Sequence, residues 1–233
     1  DKELINQLKN VFRLKRGDEI ILFNGKGDEA LVSIKDITSE VVKVAVEKMS
    51  KNKSESKNFV TLYCSILKKE NFEWVVEKAT EVGVKAIVPI TTARTVKFNL
   101  NFERINKIAK EATEQSGRAI IPEIKEVIKF EDALKKLNKT DTNIIFDITG
   151  ETFLFCHSRE GGNPEVNNRI SGSPIRSGMT NIVNIFIGPE GGWEDFELEY
   201  AKEVGFKVLS LGKTTLRGET AAIISSYLAV NLN

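Results

Sequence analysis

The chain has 233 residues, of which 41% are hydrophobic and 29% are charged, and its formal net charge is only +1. This length allows one large or two small domains with a substantial core. Because the net charge is so small, any nucleic-acid binding must come from local basic patches rather than from the field of the whole molecule. The sequence contains no apolar run of membrane-spanning length and no signal-peptide pattern, so a cytoplasmic location without a membrane partner is expected.

Residues suited to metal or nucleophilic chemistry are scarce. Cys64 lies in an apolar strand-like run and Cys156 lies beside an irregular segment, so neither indicates a disulfide framework. The single histidine, His157, lies in that same segment. Outside it, no imidazole is available for a Ser-His pair, a zinc site or a proton shuttle. An α/β hydrolase is an alternative function, and the missing histidine weakens it. No metal is expected.

The first part of the chain, residues 1–57, is predicted to form a small β domain. Between residues 19 and 49 the pattern is strand-like at Ile20–Phe23, at Ala30–Ile37 and at Val42, Val44 and Val46. The break at Asn24–Gly27 indicates a turn, and the polar stretch Lys51–Lys57 indicates a linker.

After the linker, strands and helices alternate. The predicted strands are Phe59–Ser65, Ala86–Ile90, Asn143–Phe146, Ile182–Ile187 and Val208–Leu211. The predicted helices are Asn71–Val82, Phe102–Ser116, Phe130–Leu137, Asp195–Val204 and Thr220–Leu232. Such alternation predicts a parallel α/β sheet with helices on both faces.

Two loops that follow predicted strands indicate a binding site. Gly188–Gly192 follows one strand, and the segment 212–220 follows another. In open α/β sheets, ligands bind beyond the carboxyl ends of strands, so both loops are expected to line one pocket. The acidic residue Glu190 at the centre of the first loop favours hydroxyls or a cation over phosphate, and neither G-x-G-x-x-G nor a P-loop is present. A simple strand-to-helix turn is the alternative interpretation of the first loop.

Four motifs, in one order over nearly the whole chain, resemble the RsmE family of SPOUT enzymes, the small-subunit ribosomal RNA uridine-N3 methyltransferases. They are Glu77–Val84, Glu111–Arg118, Ile187–Gly192 and Ser210–Ala221. Gly218 departs from the family pattern, since many relatives carry Thr there. Asn6–Ile20 resembles the family's first helix and following strand, but the residues normally before it are absent, so a truncated first domain is expected.

The resemblance implies an α/β fold with a C-terminal SPOUT-type trefoil-knot domain at 58–233 and an N-terminal PUA-like β-barrel RNA-binding domain at 1–57. It also implies S-adenosylmethionine as cofactor and methylation of N3 of a specific uridine in small-subunit (16S) ribosomal RNA. Because N3 lies on the pairing edge, the target base must be unstacked, which favours folded RNA or an assembled subunit as substrate. A catalytically inactive RNA-binding module of the same fold is the alternative.

The resemblance places the cofactor against the knot loops. Backbone at Leu211, Gly212 and Leu216 is expected to enclose the adenine, and Ile187–Gly191 is expected to approach the ribose and methionine. The full expected set is Ile187, Gly188, Glu190, Gly191, Ser210, Leu211, Gly212 and Leu216.

Arg217 and Glu219 are the candidate catalytic residues. Loss of the uridine N3 proton spreads negative charge onto two carbonyl oxygens, and a fixed guanidinium such as that of Arg217 stabilises this anion. Glu219 is expected either to orient Arg217 or to accept the N3 proton. The alternative for Glu219 is a charge at a helix N-terminus.

RNA contacts and subunit pairing complete the expectations. Arg13, Arg94 and Arg118 lie in family-like segments and are expected to contact phosphates. The predicted last helix, Thr220–Leu232, is apolar around most of its circumference, so a homodimer interface is expected there, as SPOUT relatives pair through their knots. Burial within one chain is the alternative.

One segment, Cys156–Asn181, does not fit the alternating pattern. Of its 26 residues, 14 are Gly, Pro, Ser or Asn. A disordered inserted loop is therefore predicted. A substrate-gripping flap that uses Arg159, Arg169 and Arg176 is the alternative.

Overall fold

The computed structural model describes residues 2–96, 99–153 and 181–232. Apart from Asn181, the predicted insert at 156–181 lies outside the described residues, and so does His157. The chain divides into two compact units, residues 1–55 with 117–121 and residues 56–116 with 122–233. The sequence predicts a single boundary at 57, whereas the structure also assigns Gly117–Ile121 to the first unit.

The first unit contains an antiparallel sheet of order β1-β2-β3. Its strands are β1 at Glu19–Phe23, β2 at Asp28–Ile37 and β3 at Val42–Lys51. They extend the three predicted strands by a few residues. Val32 and Ile34 of β2 are buried in its core, and a short helix, α1 at Lys2–Asn6, leads into a π-helical turn at Gln7–Val11.

Backbone pairing explains why residues 117–121 belong to the first unit. The Gly27 N–H donates to the Ala119 carbonyl at 2.9 Å, and Lys26 forms an isolated antiparallel bridge with Ile120. This contact is remote in sequence, so strand periodicity cannot reveal it.

The second unit contains a parallel sheet of order β10-β8-β9-β4-β5-β6, in which β7 also pairs with β5. The strands are β4 at Phe59–Ser65, β5 at Ala86–Thr91, β6 at Glu123–Ile124, β7 at Ile128–Lys129, β8 at Thr142–Thr152, β9 at Ile182–Ile187 and β10 at Lys207–Ser210. The five predicted strands are all present. The sequence prediction missed β6 and β7, which are too short to show a periodicity.

The helices of the second unit are α2 at Lys69–Val82, α3 at Phe102–Gln115, α4 at Phe130–Lys136, α5 at Asp195–Glu203 and α6 at Gly218–Val230. Beside α4 and α5, Tyr63 stacks on Phe186 with ring centroids 4.3 Å apart, and Phe206 and Phe130 contact Phe186 edge-on. Helix α6 packs against β4, β9 and α2. The sheet is thus covered by helices, as the alternation of elements predicts. No helix among the described residues is long and apolar enough to cross a membrane.

Candidate functional site

A cavity of about 850 Å³ lies in the second unit, beyond the carboxyl ends of β9 and β10 and beside residues 146–148 of β8. The predicted cofactor residues that line it are Ile187, Gly188, Glu190, Gly191, Ser210, Leu211 and Leu216. Both candidate catalytic residues, Arg217 and Glu219, also line it. Gly212 does not line it. The position follows from the strand order, because β10, β8 and β9 are neighbours and their carboxyl ends meet at one edge.

The first wall of the cavity is the tight turn at 188–192. The Gly192 N–H donates to the Pro189 carbonyl at 2.9 Å, and Gly192 has φ +72°. A Cβ on Gly188 would lie 2.9 Å from Trp193 Nε1, and this indole N–H is fixed by a hydrogen bond of 3.0 Å to the Phe146 carbonyl. The wall is therefore bare backbone at Gly188 because the neighbouring ring leaves no space for a side chain.

The second wall is the segment Ser210–Leu216. Ser210 Oγ donates to the Gly212 carbonyl at 2.8 Å and accepts from the Gly212 N–H at 3.3 Å. Gly212 therefore shapes this wall through Ser210. The following residues Lys213, Thr214 and Thr215 are exposed.

A third wall, formed by Phe146, Asp147 and Ile148 of β8, was missed by the sequence prediction. The register of β8 against β10 shifts between Val208 and Leu209, so residues 147–150 leave the regular ladder at the cavity. The Leu209 backbone approaches so closely that a Cβ on Gly150 would lie 2.6 Å from its carbonyl carbon. The rule that found the other walls leads here too, because β8 lies between β9 and β10 and its pairing with β9 ends at Phe146, beside the end of β9.

The candidate catalytic pair combines an exposed cation with a buried anion. The Arg217 side chain is 86% exposed and that of Glu219 only 7%, and Arg217 Nη1 lies 4.0 Å from Glu219 Oε1. Glu219 Oε2 is buried and has no hydrogen-bond partner among the described residues. Glu219 lies in the first turn of α6, where the helix dipole favours a carboxylate. A buried carboxylate oxygen that receives no hydrogen bond from the protein is suited to accept a hydrogen bond from a ligand.

Two carboxylates of the cavity lining, Glu190 and Glu219, act on the buried Cys64. Burial raises the pKa of the Cys64 thiol, and the nearby carboxylates of Glu190 and Glu219 raise it further. Two carboxylates therefore act on the same buried group, from the loop after β9 and from the start of α6. The Glu190 carboxylate is held in place, because its Oε1 accepts the Lys68 backbone N–H at 3.3 Å. This arrangement favours a cationic ligand, as the sequence predicts for the loop at 188–192.

Arg94, a predicted RNA contact, lies against the first wall and binds protein groups. Its Nε and Nη2 donate to the two carboxylate oxygens of Glu194 at 2.8 and 2.9 Å. Its Nη1 donates to the Gly191 carbonyl at 2.8 Å. The structure thus connects Arg94 to the cavity rather than to a separate basic surface.

The other two predicted RNA contacts lie in the first unit and differ in exposure. The Arg118 side chain is 5% exposed and its guanidinium lies 3.1 Å from Glu55 Oε2. This burial argues against the predicted phosphate contact, because the charge is already neutralised inside the unit. Arg13 is exposed and has a positive φ of +55°. Exposure leaves the RNA contact predicted for Arg13 as a proposal.

Among the described residues, no group of three or more His, Cys, Asp or Glu side chains has the arrangement of a metal site. The residues that converge on the cavity are instead glycines, apolar side chains, the three carboxylates of Asp147, Glu190 and Glu219, and the two cations Lys68 and Arg217. The chemistry that this set supports is binding of an organic cation and stabilisation of an anion next to it.

Comparisons with known proteins match both parts of the chain to domains of RNA methyltransferases. The RNA methyltransferase PUA domain family matches residues 1–47, and the RNA methyltransferase domain family matches residues 54–229. The chain is 35% identical over 220 residues to the ribosomal RNA small subunit methyltransferase E of Rickettsia conorii, which covers 94% of this chain and 83% of that protein.

Two solved structures are similar over most of their length. One is a ribosomal RNA small subunit methyltransferase E from Neisseria gonorrhoeae bound to S-adenosyl methionine, with a TM-score of 0.78 and 26% identity, covering 97% of this chain and 87% of that one. The other is a putative methyltransferase from Legionella pneumophila in complex with the bound cofactor SAM. Its TM-score is 0.76 at 27% identity, and the match covers 98% of this chain and 89% of that one.

Proposed function

Because the chain belongs to the ribosomal RNA small subunit methyltransferase E family, we propose that it methylates N3 of a uridine in small-subunit ribosomal RNA. The methyl donor in this proposal is S-adenosylmethionine. The observation that carries the proposal is the exposed Arg217 guanidinium beside the buried, unpartnered carboxylate oxygen of Glu219, at a cavity with a glycine wall.

The residues of the cavity fit this cofactor. Apolar Leu211 and Leu216 suit an adenine, and the bare backbone at Gly188 allows close approach of the ribose and methionine. The carboxylates of Glu190 and Glu219 complement the positive charges of the sulfonium and the ammonium. When bound, the cofactor supplies an activated methyl group, so no metal is needed.

The protein's own chemical task is to place uridine N3 and to remove its proton. Arg217 donates hydrogen bonds to the carbonyl oxygens next to N3, which stabilises the anion formed when the proton leaves. Glu219 Oε2 accepts that proton, because it is the buried oxygen without a partner. Exposure of Arg217 lets it meet a base that arrives from solvent, whereas burial keeps Glu219 away from water.

The substrate of this proposal is RNA in the cytoplasm, with the target base unstacked from a folded RNA or an assembled subunit. Arg13 of the first unit is proposed to contact phosphate.

Nucleoside analysis after methyl transfer tests the proposal directly. Protein incubated with labelled S-adenosylmethionine and small-subunit RNA from a strain that lacks the gene should place the label on N3 of uridine. Arg217→Ala and Glu219→Gln should reduce transfer, whereas Lys213→Ala, which removes another exposed cation of the same loop, should not. Label on ribose or cytosine would reject the assignment, and cofactor binding without transfer would identify the inactive RNA-binding alternative.

A homodimer through α6 is part of the proposal. Ile224 and Tyr227 are 38% and 57% exposed on this helix, although most of its other side chains are buried or half-buried. An apolar stripe beside the cavity-forming end of α6 favours a second subunit as its cover. Tyr227→Asp should convert a sedimenting dimer into a monomer with reduced transfer, while Phe196→Asp on α5 should leave the dimer intact. A wild-type monomer with full activity would contradict the shared interface.

A further inference from the structure

Two carboxylates at the start of α5 connect the loop after β5 to the first wall of the cavity. Glu194 accepts both hydrogen bonds from the Arg94 fork, as described above. Glu197 is buried, and its Oε1 accepts the Ala93 N–H at 3.0 Å while its Oε2 accepts the Glu194 N–H at 2.9 Å. We name these four residues, 93, 94, 194 and 197, the α5 bridge. The bridge reaches the cavity wall through Gly191, whose carbonyl accepts from Arg94 Nη1.

Packing adds to these hydrogen bonds. A Cβ on Gly191 would lie 3.4 Å from both Cβ and Cδ of Arg94, so the aliphatic stem of Arg94 lies directly against the backbone of the turn. A planar guanidinium that makes a fork to one carboxylate and a third bond to a carbonyl has a fixed orientation. The orientation of Arg94 is therefore coupled to the conformation of the turn at 188–192.

The same contacts make Arg94 a poor phosphate ligand. A phosphate at its fork would have to displace Glu194 or lie beside that carboxylate, and Asp195 adds a further negative charge next to it. The partners of Arg94 raise its pKa, first through the hydrogen bond to Glu194. The α5 bridge thus stabilises the charged form of the guanidinium.

We propose that Arg94 is a positioning residue that holds the turn at 188–192 in the conformation that binds S-adenosylmethionine, rather than a contact to RNA. The inference rests on the proposed function, because it assumes that this turn binds the cofactor. Without the bridge, the turn samples other conformations. The apparent affinity for the cofactor then falls in proportion to the fraction of molecules in which the turn keeps its binding conformation. Loss of nine-tenths of the competent population weakens binding about tenfold.

Calorimetry on the full protein without RNA measures this effect. Arg94→Ala should raise the Kd for S-adenosylmethionine about tenfold and raise its KM in parallel, with a much smaller change in kcat at saturating cofactor. Arg94→Lys should recover part of the affinity, because it keeps one charge but not the fork. The matched control is Arg104→Ala, which removes an ion pair of the same kind to Glu73, with Nε–Oε1 at 2.7 Å, away from the cavity lining.

Hydrogen exchange of the free protein gives a readout that does not depend on the cofactor. The amides of Gly188 and of residues 190–194 should exchange faster in Arg94→Ala than in wild type, and Arg104→Ala should leave them unchanged. If wild type fails to bind S-adenosylmethionine, the proposed function fails, while the exchange data still decide the role of the bridge. Unchanged exchange, or an unchanged Kd for the cofactor with a raised Kd for RNA, would overturn the inference.

Discussion

The two loops that form the cavity differ in how the rest of the protein holds them. The turn at 188–192 is fixed from three directions, by the Trp193 ring, by the Arg94 guanidinium and by the Lys68 N–H on Glu190. The segment after β10 is held at its start by Ser210 and then runs exposed through Lys213, Thr214 and Thr215 to the exposed Arg217 side chain.

This difference assigns different tasks to the two walls. A braced wall presents a constant surface, which suits a ligand that is the same in every catalytic cycle. An exposed segment that carries a cation suits contact with a large partner that arrives from solvent. We therefore expect changes in the first wall to alter cofactor affinity, and changes at the exposed Arg217, where the segment after β10 ends, to alter turnover.

The largest expected effect is that of Arg217→Ala on turnover. Removal of a donor that stabilises a developing anion reduces kcat by on the order of a hundredfold. The Kd for S-adenosylmethionine should change little, because the side chain is 86% exposed at the rim. Single-turnover kinetics with saturating cofactor measure the effect. Unchanged turnover would remove Arg217 from the mechanism and with it the proposed division between the walls.

Gly188→Ala changes the first wall, so it should alter cofactor affinity rather than turnover. The added methyl would lie 2.9 Å from Trp193 Nε1, which the Phe146 carbonyl holds in place, so ring or backbone must move. Such overpacking costs about 1–3 kcal/mol of stability. A displaced wall should also weaken cofactor binding about tenfold or more, since a shift of about 1 Å in a positioning group has large effects.

Denaturant unfolding and calorimetry on the same preparation check both parts of this expectation. Lys213→Ala, on the opposite loop, is the control and should change stability by less than about 0.5 kcal/mol. Normal cofactor affinity in a folded Gly188→Ala protein would show that the first wall is not the binding surface.

The smallest expected effect concerns Cys64, beneath both walls. Its pKa is raised in the folded protein, whereas the unfolded thiol titrates at about 8.5. Above that pH the unfolded chain loses a proton that the folded protein keeps, so this residue lowers stability as pH rises. Its contribution should be a loss of about 1 kcal/mol between about pH 8.5 and 9.5. Unfolding of Cys64→Ala should lack this increment, and identical pH slopes would show that the thiol is not held protonated.

Several elements follow from sequence patterns alone. The predicted family, the PUA domain and the parallel α/β arrangement are confirmed. Helix α5 begins at Asp195 as predicted, because the capping box of Glu194 and Glu197 is encoded within four residues. Helix α6 begins at Gly218 rather than Thr220, since the Arg217 carbonyl already accepts the Ala221 N–H. The trefoil knot stays a prediction.

Local patterns could not predict the contacts between residues that are distant in sequence. The sequence shows that Arg94 and Arg118 are charged, but not that each forms an ion pair with a carboxylate that is distant in sequence. The same limit applies to residues 117–121, whose place in the first unit depends on the backbone of Gly27. Long-range contacts of this kind leave no local periodicity.

The amino-acid sequence alone identifies which strands end in the cavity loops, because apolar runs followed by glycine turns are local signals that need no partner. It also determined the chemical character of the site, since carboxylates and Arg217 lie within those loops. Three features are visible only in the folded protein: Arg94 contacts the first wall, β8 supplies a third wall, and Glu219 is buried with an oxygen that has no partner among the described residues. These contacts join residues far apart in sequence, such as Arg94 and Gly191, which are 97 positions apart, and they exist only once the sheet has assembled them.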